Sequence, residues 1–199
     1  MTKKRDTVRP DSADADRVLK RLDGAVNTGN LVRIHRSIRG AEKIEGFVVA
    51  TTPAWTLMAP CSDIQLDGWA AVRTADIVKV RRKGDKTCLT IRALHRRGQW
   101  PVLMPGHTLP LDTLPALAEA AHRAFGLVAL HAERHVTGAC WIGAVTEVRT
   151  KSVRLREIDP RACWHDEVTK FPGKDITRID FGGRYVRILD EFAGPRTDA

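Results

Sequence analysis

A chain of 199 residues that is 43% hydrophobic and 29% charged has an ordinary soluble composition, and no apolar run reaches the ~20 residues a bilayer span needs, which excludes a helical membrane protein and argues for no membrane partner. The formal net charge of +9 is unevenly placed: residues 1–100 hold 20 Lys+Arg against 11 Asp+Glu, and residues 101–199 hold 13 of each. All of the excess falls in the first half, which points to an acidic partner there, a nucleic acid or an acidic protein.

Residues 1–13 are polar, charged and aperiodic and read as a disordered basic tail. Asp14 or Asp16 caps a short helix through Arg17–Leu22, with Val18, Leu19 and Leu22 as its apolar stripe, and Gly24 ends it. The turn Asn27-Thr28-Gly29-Asn30 then leads into a first strand, Leu31–His35. A second strand, Ile44–Val49, carries a glycine at Gly46, as a sharply bent strand requires. Third and fourth strands are expected at Trp55–Ala59 and Gly68–Arg73, and a fifth at Asp76–Val80. Arg-Lys-Gly84 turns the chain into a closing helix, Thr87–Arg97, ended by Gly98. The stretch 99–111 contains two prolines within its first seven residues and reads as a linker.

The second half restates this order. Thr113 or Asp112 caps a helix whose stripe is Leu114, Leu117, Ala118, Ala121 and Phe125, with Pro115 in its first turn and Gly126 as its stop. Strands follow at Leu127–His131, Trp141–Thr146 with Gly143, Ser152–Glu157, Glu167–Phe171 and Asp175–Ile179, then a helix over Arg184–Phe192. The strings themselves recur: Leu31-Val32-Arg33-Ile34-His35 beside Leu127-Val128-Ala129-Leu130-His131, and Asp76-Ile77-Val78-Lys79-Val80 beside Asp175-Ile176-Thr177-Arg178-Ile179. Offsets of 96 and 99 leave three residues of net insertion between two long segments, the signature of an internal repeat. The expected organisation is a tail (1–13), a helix-and-barrel unit (14–98), a linker (99–111), a second unit (112–194) and a tail (195–199).

A helix before five bent strands, a glycine in strand two and a short aliphatic strand five resemble the Sm-like variant of the SH3-type barrel, once per half. The resemblance implies a mainly β fold with short helices, as two tandem five-stranded barrels each preceded and followed by a helix. The run from Glu157-Ile158-Asp159-Pro160 to Asp180-Phe181-Gly182-Gly183-Arg184-Tyr185 is also similar to a group of uncharacterised bacterial proteins. Sm-like proteins usually hold RNA through an aspartate and an asparagine between strands two and three. Here those positions fall on Thr52 and Thr56 in the first half and on Arg149 and Val153 in the second, so the RNA pattern is missing from both.

Binding, without catalysis, is the function class this leaves. The candidate contact surface is the basic set of the first half: Arg33, Arg36, Arg81, Arg82, Lys83, Arg96 and Arg97, joined by Lys3-Lys4-Arg5, Arg39 and His95, each able to neutralise phosphates. Trp55, Trp69 and Trp100 lie in the same half, where they could stack on bases or fill the core. Open barrel edges offer a route to homo-oligomers or to other proteins, the structural alternative. Histidines recur at 35 and 131, at strand ends, which suggests a structural role; no metal-ligand spacing completes a site. Cys163-Trp164-His165-Asp166-Glu167 groups a thiol, an imidazole and two carboxylates in what reads as a loop, where neighbours rarely converge for catalysis. Asp180-Phe181-Gly182-Gly183-Arg184 lacks the lysine and setting of a phosphate loop. Arg149, Arg154 and Arg156 should pair with Glu147, Glu157 and Asp159 on a sheet's outer face. No cofactor is implied. The four cysteines, Cys61, Cys88, Cys140 and Cys163, form no Cys-x-x-Cys pair, and the basic N-terminus is not followed by an apolar stretch, so free thiols and a cytoplasmic location are expected.

Overall fold

The computed structural model describes residues 12–104, 106 and 109–194. Lys3-Lys4-Arg5 and the closing tail 195–199 lie outside the described residues, as does the expected basic tail except for residues 12 and 13, which open the first helix. The first half runs α1 (Ser12–Thr28), β1 (Leu31–Arg36), β2 (Ile44–Thr51), β3 (Trp55–Ser62), β4 (Gln65–Leu66), β5 (Trp69–Arg73), a 3-10 turn (Thr74–Asp76), β6 (Ile77–Gly84) and α2 (Leu89–Arg96). The second runs α3 (Leu114–Phe125), β7 (Val128–His131), β8 (Trp141–Arg149), β9 (Ser152–Ile158), β10 (Trp164–Pro172), β11 (Arg178–Phe181) and α4 (Arg184–Phe192).

The fold is mainly β. Its strands join into one antiparallel sheet of eleven, in the order β10-β9-β8-β7-β11-β5-β3-β2-β1-β6, with β4 attached to β3. This differs from two separate closed barrels: the path is open, its ends are β6 and β10, and the halves meet where β5 pairs with β11.

Within each half the ladder is the same. Val32 faces Gly46 as Val128 faces Gly143. Ile34 faces Val80 as Leu130 faces Ile179. Met58 faces Ala70 as Leu155 faces Thr169. A register shift falls between Val48 and Ala50 in β2 and between Val145 and Glu147 in β8. The glycines mark the closest approach. A Cβ at Gly46 would stand 2.2 Å from the carbonyl oxygen of Ala59, and one at Gly143 would stand 2.2 Å from that of Arg156. Only a residue without a side chain lets these strands bend so near to one another.

Helices cover both faces. Val18, Leu22 and Ala25 of α1 pack on Val32, Ile34, Val48, Met58 and Val72, while Ile91 and Leu94 of α2 pack on the other face against Leu31, Phe47 and Cys61. Thr113 Oγ1 accepts from the Ala116 amide to cap α3, Pro115 sits in its first turn and Gly126 ends it at φ +77. Leu117, Ala118 and Ala121 of α3 then enter the largest core, which joins Leu130, Leu155 and Ile179 to Trp55, Leu57 and Ala71 of the first half. That core also takes Leu109 and Leu111, from the stretch read as linker. α4 buries Val186 and Leu189 against Leu127, Ala144 and Ile158.

Side chains lock the junction of the halves. Arg36 donates to Glu133 at 2.6 Å, and Glu133 also accepts from Thr177 Oγ1 at 2.7 Å. Arg73 donates to the carbonyls of Ile176 (2.6 Å) and Gly173 (2.5 Å). Arg134 pairs with Asp76, and Arg178 Nη1 lies 3.2 Å from Glu42 Oε2.

Candidate nucleic-acid interface

β6 is an edge strand, so one side of its backbone has no strand beside it among the described residues. Ile77 and Val80 turn into the core, and Lys79, Arg81, Arg82 and Lys83 stay exposed. The expected turn at Arg-Lys-Gly84 is instead the end of this strand. The turn comes one residue later: Asp85 Oδ1 accepts from the Thr87 amide (3.0 Å) and hydroxyl (2.6 Å), and these bonds, with the charge of Arg82, hold its carboxyl below the ordinary range. α2 follows at once. Burying Ile91 and Leu94 leaves Arg92, His95 and Arg96 on its outer side, with Arg97 just beyond.

Trp100 closes this surface. Its Nε1 donates to the Gly29 carbonyl at 3.0 Å, His95 lies 6.0 Å from it between ring centroids, and the Lys86 ammonium stands 5.8 Å from the ring centre. Lys86, Leu89, Arg92, His95, Arg96 and Trp100 line a shallow cavity of about 590 Å³.

Of the seven candidate residues, five keep free charge. Arg81, Arg82, Lys83 and Arg96 are exposed with no carboxylate within ion-pair distance among the described residues, and Arg97 makes only a 2.8 Å bond to the Ile64 carbonyl. Arg33 is half-neutralised by Glu45, 2.6 Å away across the β1–β2 ladder. Arg36 is removed from the surface altogether: its side chain is wholly buried against Glu133. Charge that counts toward the net total is thus consumed in the core. Lys79, Lys86 and Arg92 belong to the free set although the sequence reading passed over them; the density of basic residues from 79 to 97 was their signal.

Arg33, Lys43, Lys79 and Arg81 also surround His35. Burial, and then these four cations, lower its pKa and keep the ring neutral. Its counterpart His131 instead places Nε2 3.2 Å from Asp180 Oδ2.

The other candidate features resolve differently. Trp55 is 1% exposed in the core, with Arg73 over its ring at 4.9 Å, and Trp69 packs at the junction of the halves; only Trp100 borders the basic surface. Trp164 to Glu167 form the start of β10, not a loop, but a register shift between Trp164 and Val168 leaves His165, Asp166 and Glu167 exposed and out of the regular ladder with β9. Glu147 pairs with Arg149 and Arg154 as expected, but Asp159 pairs with Arg161, in its own turn. No protein-family profile, curated protein or solved structure matches this chain.

Proposed function

We propose that the chain is a non-enzymatic, cytoplasmic binding protein that holds nucleic acid by phosphate contacts on β6 and α2. In this reading it consists of two tandem Sm-like, SH3-type units, residues 14–98 and 112–194, joined through 99–111. The matching ladders and the paired helices support that organisation. The observation that carries the binding role is the run of eight exposed basic side chains from Lys79 to Arg97 with no ion-paired carboxylate among the described residues. By contrast, Arg123, Arg134, Arg149, Arg154, Arg161 and Arg178 of the second half are all in ion pairs. Exposed cations without partners raise the local potential and release counterions when phosphates replace the solvent.

The test is affinity for a single-stranded oligonucleotide and for a duplex as a function of salt. With about five phosphates engaged, affinity should fall by about two orders of magnitude for the single strand and nearly three for the duplex between ~50 and ~200 mM salt. The variant carrying Arg81→Ala, Arg82→Ala and Lys83→Ala should lower the log–log slope by about 2–3. Binding that is absent at low salt, or indifferent to salt, refutes the proposal.

A further inference from the structure

We propose that this chain assembles head to tail with further copies of itself, β6 of one copy pairing antiparallel with β10 of the next. Three observations carry this.

The first is that the molecule already contains one such joint. Inside the sheet, β11 pairs with β5 in the register Arg178↔Val72, Ile179↔Ala71, Asp180↔Ala70 and Phe181↔Trp69. By the matched ladders, β6 is the counterpart of β11 and β10 is the counterpart of β5. The two strands at the ends of the sheet, each with a single neighbour, are therefore the same pair of partners that the chain joins within itself.

The second is that both edges are long and that, among the described residues, no strand pairs with their outer sides. β6 spans eight residues and β10 nine, and each carries an exposed valine, Val78 at 43% and Val168 at 37%. Such edges present a row of unpaired backbone donors and acceptors that another strand can complete.

The third is charge. β6 carries Lys79, Arg81, Arg82 and Lys83, whereas β10 carries Asp166 and Glu167 against a single lysine, Lys170. Carrying the internal register across by the 99-residue offset sets Lys79 opposite Phe171, Val80 opposite Lys170, Arg81 opposite Thr169 and Arg82 opposite Val168. Arg82 and Lys83 then come beside the irregular segment of β10 that holds Asp166 and Glu167. β10 starts four residues before the counterpart of Trp69, and its register shift against β9 falls in those four residues, so the acidic pair meets β6 just past the end of the ladder seen internally. Opposite charges across a ladder stabilise and like charges oppose it, so β6 is repelled by a second β6 and accepted by β10. A contact between two different surfaces propagates, into a ring if its rotation closes and into a filament if it does not.

The experiment is light scattering on nuclease-treated protein over a wide concentration range. The wild-type mass should rise with concentration through multiples of 22.1 kDa. One variant, Arg82→Glu with Lys83→Glu, places acidic residues at the facing positions of both edges; another, Asp166→Lys with Glu167→Lys, places basic residues at both. Each alone should associate at least tenfold more weakly, and an equimolar mixture should recover the large species, because each variant then offers the other a complementary edge. Recovery on mixing cannot come from misfolded chains, and circular dichroism on each variant checks folding directly. Because nucleic acid is removed, its binding plays no part in the outcome. A wild-type mass fixed at one chain, association untouched by both swaps, or swaps that abolish it without recovery on mixing would each overturn the proposal.

Discussion

Replacing Glu133 with glutamine probes the junction of the halves where the most charge is buried. The Arg36 side chain is fully buried and Glu133 only 5% exposed. In Glu133→Gln the shape and the Thr177 bond persist, but the guanidinium loses its counter-charge where no water reaches it. Breaking a buried pair from one side costs about 3–5 kcal/mol. Arg36 keeps its 3.1 Å bond to the Glu42 carbonyl, which places this variant near the lower end, about 3 kcal/mol. For a chain of this length, that lowers Tm by roughly 6–12 °C. Removing both charges, as in Arg36→Met with Glu133→Leu, should recover most of the loss, since an apolar pair has no charge to desolvate. The pH dependence has a definite sign. Burial pushes the Glu133 carboxyl up, but the hydrogen bonds from Arg36 and Thr177 and the charge of Arg36 outweigh it, so its pKa in the folded protein lies below the ordinary value. Such a group adds stability that is full above the unfolded-state pKa and drains away as pH falls through the folded one. Urea unfolding at pH ~7 and pH ~3, either side of the unperturbed glutamate value, should therefore show a wide gap between wild type and Glu133→Gln that narrows in acid. A gap under about 1 kcal/mol at neutral pH, or one that does not shrink in acid, refutes the reasoning.

Gly46→Ala and Gly143→Ala should each destabilise by about 2–3 kcal/mol, since the new Cβ meets a backbone carbonyl that cannot rotate away; thermal melts that match wild type would show that the strands can separate at no cost. Arg149→Ala, which removes an arginine already paired with Glu147, should leave the salt dependence of nucleic-acid binding unchanged. A lower slope in that titration would extend the interface into the second half.

Strands with a clean period were legible, and so was the α3 helix, because cap, proline and glycine stop all act locally. β3 was readable only in part: Leu57 enters one core and Met58 the other, so both faces are apolar and the run reads as continuous rather than alternating. β10 begins three residues before its expected start because an exposed edge strand tolerates polar side chains, and His165-Asp166-Glu167 therefore looks like a loop. Gly24 did not stop α1. Its cost of about 1 kcal/mol in a helix is offset by the burial of Val18, Leu22 and Ala25 on either side of it. The fate of Arg36 had no local sign at all, since its partner stands 97 residues away. Charge counting found the basic half; only the structure separates the arginine in the core from those on the surface.

The matched ladders allow one surface position to be tested against its own counterpart. In the second half His131, Arg178 and Asp180 close a network: Asp180 accepts from Arg178 at 2.6 Å and meets His131 at 3.2 Å. The same ladder positions in the first half are His35, Lys79 and Arg81, where a cation replaces the carboxylate and the network cannot close. Arg81→Asp should restore it. The new carboxylate would face Arg33 across the ladder and neighbour Lys79 and His35, so the His35 pKa should rise from its present lowered value. Its unfavourable contribution to stability in acid then shrinks. With its pKa lowered by the fold, His35 destabilises the protein as pH falls through the unfolded-state value; in the variant that acid-side loss should be smaller. An NMR titration of the His35 ring measures the shift, and the same variant should bind nucleic acid with a smaller salt slope, because a phosphate contact is gone. A His35 pKa that stays where it is would mean that burial alone, and not the surrounding cations, keeps that ring neutral.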